Sequence, residues 1–151
     1  ERFGFQLVHW SVQSNHLHLI CEAVDKVALA RGMQQLSVRV ARTVNRLWIR
    51  SGRVFIDRYH SVILETARQV RNTLIYVLHN ARRHGAGYRH HLDQFCSGWW
   101  FTGWDRSVRD AELQFAPPRS RNPVAGPLSR LLTIGWRRYG ALPLDAIPGP
   151  V

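Results

Sequence analysis

Residues 5–23 read FQLVHWSVQSNHLHLICEA, and the fold turns on them. Phe5–Val12 is rich in aromatic and branched side chains, the composition of a strand. Gln13, Ser14 and Asn15 are turn formers. His16–Ala23 then resumes the strand pattern. A connection this short predicts an antiparallel hairpin, with Val8 and Leu17 in neighbouring strands. In the second strand, alternation sends Leu17, Leu19 and Cys21 to one face and His16, His18 and Ile20 to the other.

Outward from the hairpin the period changes. From Val27 to about Arg50, the residues Leu29, Met33, Leu36, Val40, Val44 and Leu47 step by threes and fours, which predicts a helix with one buried stripe. Arg39, Arg42, Arg46 and Arg50 step the same way on another face, and Ser51-Gly52 is the stop. Arg53–Leu64, RVFIDRYHSVIL, reads as extended with a bend near Asp57. Thr66 opens a second helix, with Gln69 as capping-box partner. Val70, Leu74, Val77 and Ala81 supply its buried face. Arg82, Arg83 and His84 make a basic last turn before Gly85. Residues 85–98 read as a loop with at most a short helical piece, and Trp99, Trp100, Phe101 and Trp104 form an aromatic cluster. The stretch APPRSRNPVAGP, residues 116–127, has linker composition. Leu128–Tyr139 suits a short helix ahead of a Pro-rich end. The pattern is that of an α+β layer fold. Residues 1–104 form one domain, and residues 105–151 a Pro/Arg-rich segment that packs on it or trails from it.

The composition narrows the partners. The chain has 151 residues, with 21 Lys and Arg against 10 Asp and Glu, a net charge of +11. Such an excess favours a polyanion, nucleic acid before an anionic membrane. No apolar run is long enough to span a bilayer, so no membrane partner is expected. Cys21 and Cys96 have neither C-x-x-C nor zinc spacing and read as free thiols of a reducing, cytoplasmic setting.

Two constellations carry chemistry. His16 and His18 are two apart on a strand, with Cβ atoms roughly 7 Å apart, and can converge on one divalent cation. Alone, the pattern equally fits two surface histidines. Tyr76 and Asn80 are four apart on the second helix, one turn or about 6 Å. They share a polar face with Asn72, Thr73 and Arg83, and alone they fit a solvated face with a snorkelling tyrosine. Together the two sites describe a reaction. Tyrosine attack on a phosphodiester gives a 5′-phosphotyrosine and a free 3′-hydroxyl. A phenol with pKa near 10 needs help in this, and a cation can offset charge growing on the phosphate. Two imidazoles and the Asn80 side-chain oxygen would leave positions open for phosphate and water. His79 is a further candidate ligand or base. Tyr59 is a rival nucleophile that lacks a ligand one turn away.

The run QSNHLHLICEA resembles the HUH motif of single-tyrosine transposases, Asn-His-hydrophobic-His-hydrophobic. GRVFIDRYHSVIL resembles the extended segment after that family's long helix, and IYVLHNARRHG its tyrosine helix. The nearest branch is that of the REP-associated tyrosine transposases, with similarity from about Phe5 through SGWWFTGW. The resemblance implies a ferredoxin-like α+β fold, an antiparallel sheet with helices packed on one face. It implies single-stranded or hairpin DNA as substrate and Mg2+ or Mn2+ as cofactor. It also implies Tyr76 as nucleophile and His16, His18 and Asn80 as metal ligands. The family carries a strand and helix before the hairpin, and their absence here predicts an apolar strand edge that is exposed or covered by a partner chain.

DNA contacts are expected from the stripe Arg39, Arg42, Arg46 and Arg50, from Arg53 and Arg58, and from Arg82 and Arg83. Such contacts give salt-sensitive affinity and little sequence information. Trp99, Trp100 and Trp104 could stack bases, but a stretch this apolar is better suited to pinning the C-terminal segment to the core. Two other functions fit: a non-catalytic single-stranded nucleic-acid-binding protein derived from such a transposase, and a metal-dependent phosphodiesterase that uses water. A homodimer fits too, with Tyr76 docked beside a second subunit's histidines.

Overall fold

Alternating side chains along residues 5–23 make the hairpin where it is predicted. In the computed structural model, β1 (Phe5–Val12) and β2 (Leu17–Ala23) pair as a two-stranded antiparallel sheet, and the Gln13 N–H donates to the His16 carbonyl at 2.9 Å near the turn. The structure describes residues 4–83, 92–105, 123–146 and 148–149, with the backbone alone for Arg82 and Arg83. Val8 and Ile20 are buried, each on its own strand. Later chain covers part of β1: Ser11 forms an isolated antiparallel bridge with Cys96, the Val12 N–H donates to Phe95 O at 2.8 Å, and the Ala125 N–H donates to Leu7 O at 3.2 Å.

The chain forms two compact units, residues 1–6 with 22–63 and residues 7–21 with 64–151. In the first, Gln6 donates to the Glu22 carboxylate at 2.6 Å. Asp25 caps α1 (Lys26–Leu47) by accepting from the Ala28 N–H at 2.7 Å. Gly32 lies against the Phe5 ring so closely that a Cβ would overlap it. The predicted apolar stripe is only partly covered: Met33 is buried, Leu36, Val40 and Val44 are half-buried and Leu47 is exposed. The helix also ends before Arg50. Ile49 takes a φ of 48°, a left-handed conformation costly for a β-branched residue, so the chain has left the helix before Ser51-Gly52. Residues 53–63 bend at Asp57 as expected but form no strand ladder, and Ile56, Val62 and Ile63 are exposed.

In the second unit, α2 (Ala67–Leu78) starts on a complete capping box between Thr66 and Gln69. Val70, Leu74, Val77 and Leu78 are buried against Ile20 and against Phe101, Trp104, Leu132, Trp136, Leu142 and Leu144 from the C-terminal half. That half contributes a 3-10 turn (Ser97–Trp100), α4 (Arg130–Thr133) and a second 3-10 turn (Gly135–Tyr139). Gly103 is obligatory in this packing, because a Cβ there would overlap the Phe101 and Trp136 rings. Trp104 donates Nε1–H to Gly98 O at 2.9 Å and bridges to Leu142. The tryptophan cluster thus divides, with Trp104 buried in the core and Trp99 and Trp100 half-buried.

The second helix is not continuous as predicted. It stops at Leu78, His79 leaves helical geometry at φ −112° and ψ 15°, and α3 (Asn80–Arg83) follows. His84 and Gly85, the predicted end, lie outside the described residues. The elements make an α+β fold consistent with a ferredoxin-like arrangement. Among the described residues, no helix is long and apolar enough to cross a membrane.

Candidate active site

His16 and His18 flank Leu17, the first residue of β2, so they share a face of the hairpin. Their Nε2 atoms stand 3.0 Å apart and their rings meet edge to face at 4.7 Å. Asn15 orients the first of them. Its Oδ1, an acceptor only, lies 2.7 Å from His16 Nδ1, a pairing that favours the tautomer with the proton on that nitrogen. That tautomer would leave the His16 lone pair on Nε2, facing His18. A carbonyl oxygen behind a ligating histidine fixes the tautomer in this way at many metal centres.

Tyr76 approaches the pair from α2. Its ring meets the His18 ring edge to face, 4.9 Å between centroids. It is half-buried and leans on the hydrophobic core. The structure thus brings three of the predicted site residues, His16, His18 and Tyr76, into one contiguous group within one unit. Tyr59, the rival nucleophile, is 44% exposed in the irregular segment and makes no ring or hydrogen-bond contact among the described residues.

Asn80 departs from expectation. The spacing predicts it on a polar face with Tyr76, yet it is fully buried. Among the described residues, neither its Oδ1 nor its Nδ2 has a hydrogen-bond partner. The break at His79 accounts for the change, since it takes Asn80 out of the helical register of Tyr76. A buried amide without partners costs about 1–3 kcal/mol per orphaned group, so it calls for an occupant. His79 departs as well. It is buried, its Nε2–H donates to Pro143 O at 3.2 Å and its ring packs on Trp104 at 5.0 Å. It fastens the C-terminal segment and is not available as a ligand through Nε2.

The two imidazole nitrogens are spaced to share one divalent ion. Two nitrogens each about 2.1 Å from one ion, at right angles, stand about 3.0 Å apart, which matches the Nε2 separation. Among the described residues no group of three or more His, Cys, Asp or Glu could hold a metal. Among the described residues a third protein donor would be a neutral oxygen, and Asn80 Oδ1 is a buried one with no hydrogen-bond partner among them. The cysteines are not competing donors: burial pushes both thiols up to about 12. They are inert, as their spacing predicts.

Of the predicted DNA-contacting residues, Arg39, Arg42, Arg46, Arg50, Arg53 and Arg58 are all exposed, and none forms an ion pair among the described residues. The side chains of Arg82 and Arg83 lie outside what the structure describes. Sequence reading missed His9, which is half-buried and hydrogen-bonds through Nδ1 with the Ser97 hydroxyl at 3.1 Å. Burial lowers its pKa to about 4. It also missed the role of Asn15, for which the adjacent position was the available signal.

No curated protein and no solved structure matches the chain. A family model described as IS200-like transposase matches residues 1–80, more than half of the sequence.

Proposed function

We propose, from the premise that the chain belongs to the IS200-like transposase family, that it cuts and rejoins single-stranded DNA with Tyr76 as nucleophile. The family is one of DNA-cutting enzymes. The contact of His18 with both His16 and Tyr76 carries the finer reading, because it joins a metal-type histidine pair to a phenol. The Tyr76 oxygen forms a bond to phosphorus and loses its proton. The bond from phosphorus to the 3′ oxygen breaks, and that oxygen leaves as a 3′-hydroxyl, so the DNA 5′ end stays on the protein as a phosphotyrosine. Rejoining reverses these steps with a new 3′-hydroxyl. His16, His18 and Asn80 would hold Mg2+ or Mn2+, with Asn15 fixing the His16 tautomer. When bound, such an ion offsets the charge that develops on the phosphate oxygens. The exposed arginines on α1 and after it would hold backbone phosphates. The tryptophan-rich segment, beyond the matched residues, supports placing the chain in the REP-associated branch.

Tyr76→Phe removes one oxygen and tests the reading. In manganese, nicking of a single-stranded hairpin oligonucleotide and the covalent adduct both disappear, a loss on the order of 10⁴-fold or more, while DNA binding persists. His16→Ala and His18→Ala likewise lose ion-dependent cleavage and keep most affinity. An adduct on the Tyr76→Phe protein would move the nucleophile elsewhere. Cutting without any adduct would favour hydrolysis by water, and wild-type protein that binds without nicking would be a non-catalytic binder.

A further inference from the structure

A second basic cluster lies away from the histidines, around Tyr139. Arg71, on α2, donates from Nε to Tyr139 O at 3.4 Å and from Nη2 to Ala141 O at 3.3 Å. Arg138 donates from Nη2 to the Tyr139 hydroxyl at 2.8 Å, and its Cζ sits 4.8 Å from the ring centroid. Arg68, also on α2, approaches the same ring, 5.6 Å from Cζ to centroid. None of the three forms an ion pair among the described residues. Main-chain carbonyls and an aromatic ring hold the guanidinium groups in place, and no carboxylate among the described residues pairs with them. The Tyr139 phenol registers the resulting field: the Arg138 hydrogen bond, with Arg68 behind it, lowers its pKa.

We infer that Arg68, Arg71 and Arg138, gathered around Tyr139, form a backbone-phosphate clamp for single-stranded DNA, separate from the group of His16, His18 and Tyr76. The inference rests on the reading that single-stranded DNA is the substrate. Ordered, uncompensated guanidinium groups suit phosphate, which accepts their paired N–H donors. A net charge of +11 favours a polyanion over a peptide with a few acidic residues. The clamp also shares α2 with the nucleophile. Arg68 precedes Tyr76 by about two turns, roughly 12 Å along the helix axis. A strand gripped there runs along the helix that carries the reacting hydroxyl.

The test uses the full chain, a fluorescent dT12 oligonucleotide and EDTA, so that binding is read without cleavage. Affinity is measured across a salt series for wild type, Arg68→Gln/Arg138→Gln and Arg68→Lys/Arg138→Lys. Arg71 is left intact because it ties α2 to the chain at 139–141. Each lost phosphate contact on a single strand removes about 0.7 from the slope of log K against log salt, so the Gln pair becomes shallower by about 1.4. The Lys pair keeps the charge and stays near the wild-type slope, with thermal midpoints showing that all three proteins are folded. An unchanged slope in the Gln pair would overturn the clamp. So would a twelve-residue glutamate peptide that binds wild type as tightly as dT12 and loses that affinity in the Gln pair, since the surface would then serve an acidic protein. Nicking is read separately in manganese, so failure of the tyrosine mechanism and failure of the clamp give different results.

Discussion

Asn80→Leu should make the metal-free protein more stable while removing its response to divalent ions. The leucine keeps the branching of asparagine and replaces two orphaned polar atoms by methyl groups. Both atoms are buried without partners, and the side chain is fully enclosed. An unsatisfied buried group costs about 1–3 kcal/mol, whereas an apolar replacement of the same shape is neutral or stabilising. Methyl groups are bulkier than the atoms they replace, and overpacking takes back about 1 kcal/mol or more. The expected net gain in EDTA is about 1–2 kcal/mol, or a few degrees in Tm for a chain of this size. Urea unfolding with and without Mn2+ reads both effects. At an ion concentration of 100 Kd the wild type gains about 2.7 kcal/mol, and Asn80→Leu gains much less. A variant less stable than wild type in EDTA would show that the Asn80 amide is already satisfied. A variant that keeps the full Mn2+ response would show that the amide does not serve the ion.

Two further substitutions probe the frame around the site. His9 has its pKa lowered to about 4 from an ordinary 6.5 by burial, so it enters the fold neutral. As pH falls below 6.5 the unfolded chain takes up a proton that the folded one refuses, and stability drops until about pH 4. At pH 5 the loss from this group is about 2 kcal/mol. His9→Asn, which can still pair with Ser97, should flatten the fall in unfolding free energy between pH 7.5 and 5 by about that amount; an equally steep fall would contradict a neutral, buried His9. Gly32→Ala would ordinarily stabilise a helix interior by up to about 1 kcal/mol. Here the new Cβ meets the Phe5 ring, so a net loss of roughly 1–2 kcal/mol is expected, relieved when Phe5→Leu is added. A stabilised single variant in chemical denaturation would disprove the contact.

How much of this was legible in the sequence depended on whether a pattern was local. Alternation along residues 5–23 is a property of neighbours, so it fixed the hairpin and put His16 and His18 on one face. The Thr66 and Gln69 pair is equally local, and α2 starts where it says. Tyr76 was legible too, since its facing follows from Val70, Leu74 and Val77. The interruption at His79 was not. A histidine followed by asparagine suits a helix end or a polar helix face equally well, and what packs on His79 is chain from far downstream, Trp104 and Pro143 among it. The clamp at Tyr139 was hidden for the same reason: Arg68 and Arg138 look like ordinary surface charges until the fold places them on one ring. The stripe on α1 erred in the other direction. Its period predicts a helix correctly, but periodicity says nothing of how much partner surface exists, and Leu47 remains exposed.

The joint at His79 separates the two halves of the proposed chemistry. Tyr76 rides on one rigid rod and Asn80 on another, with a single non-helical residue as the elbow between them. The elbow is latched from a distance, because the His79 imidazole is hooked to the Pro143 carbonyl near the far end of the chain. On the proposed mechanism, that bond would act as a set-screw on the alignment of Tyr76 and Asn80, although it touches neither. Substitutions around Pro143 would then change the proposed cleavage without altering His16, His18, Tyr76 or Asn80.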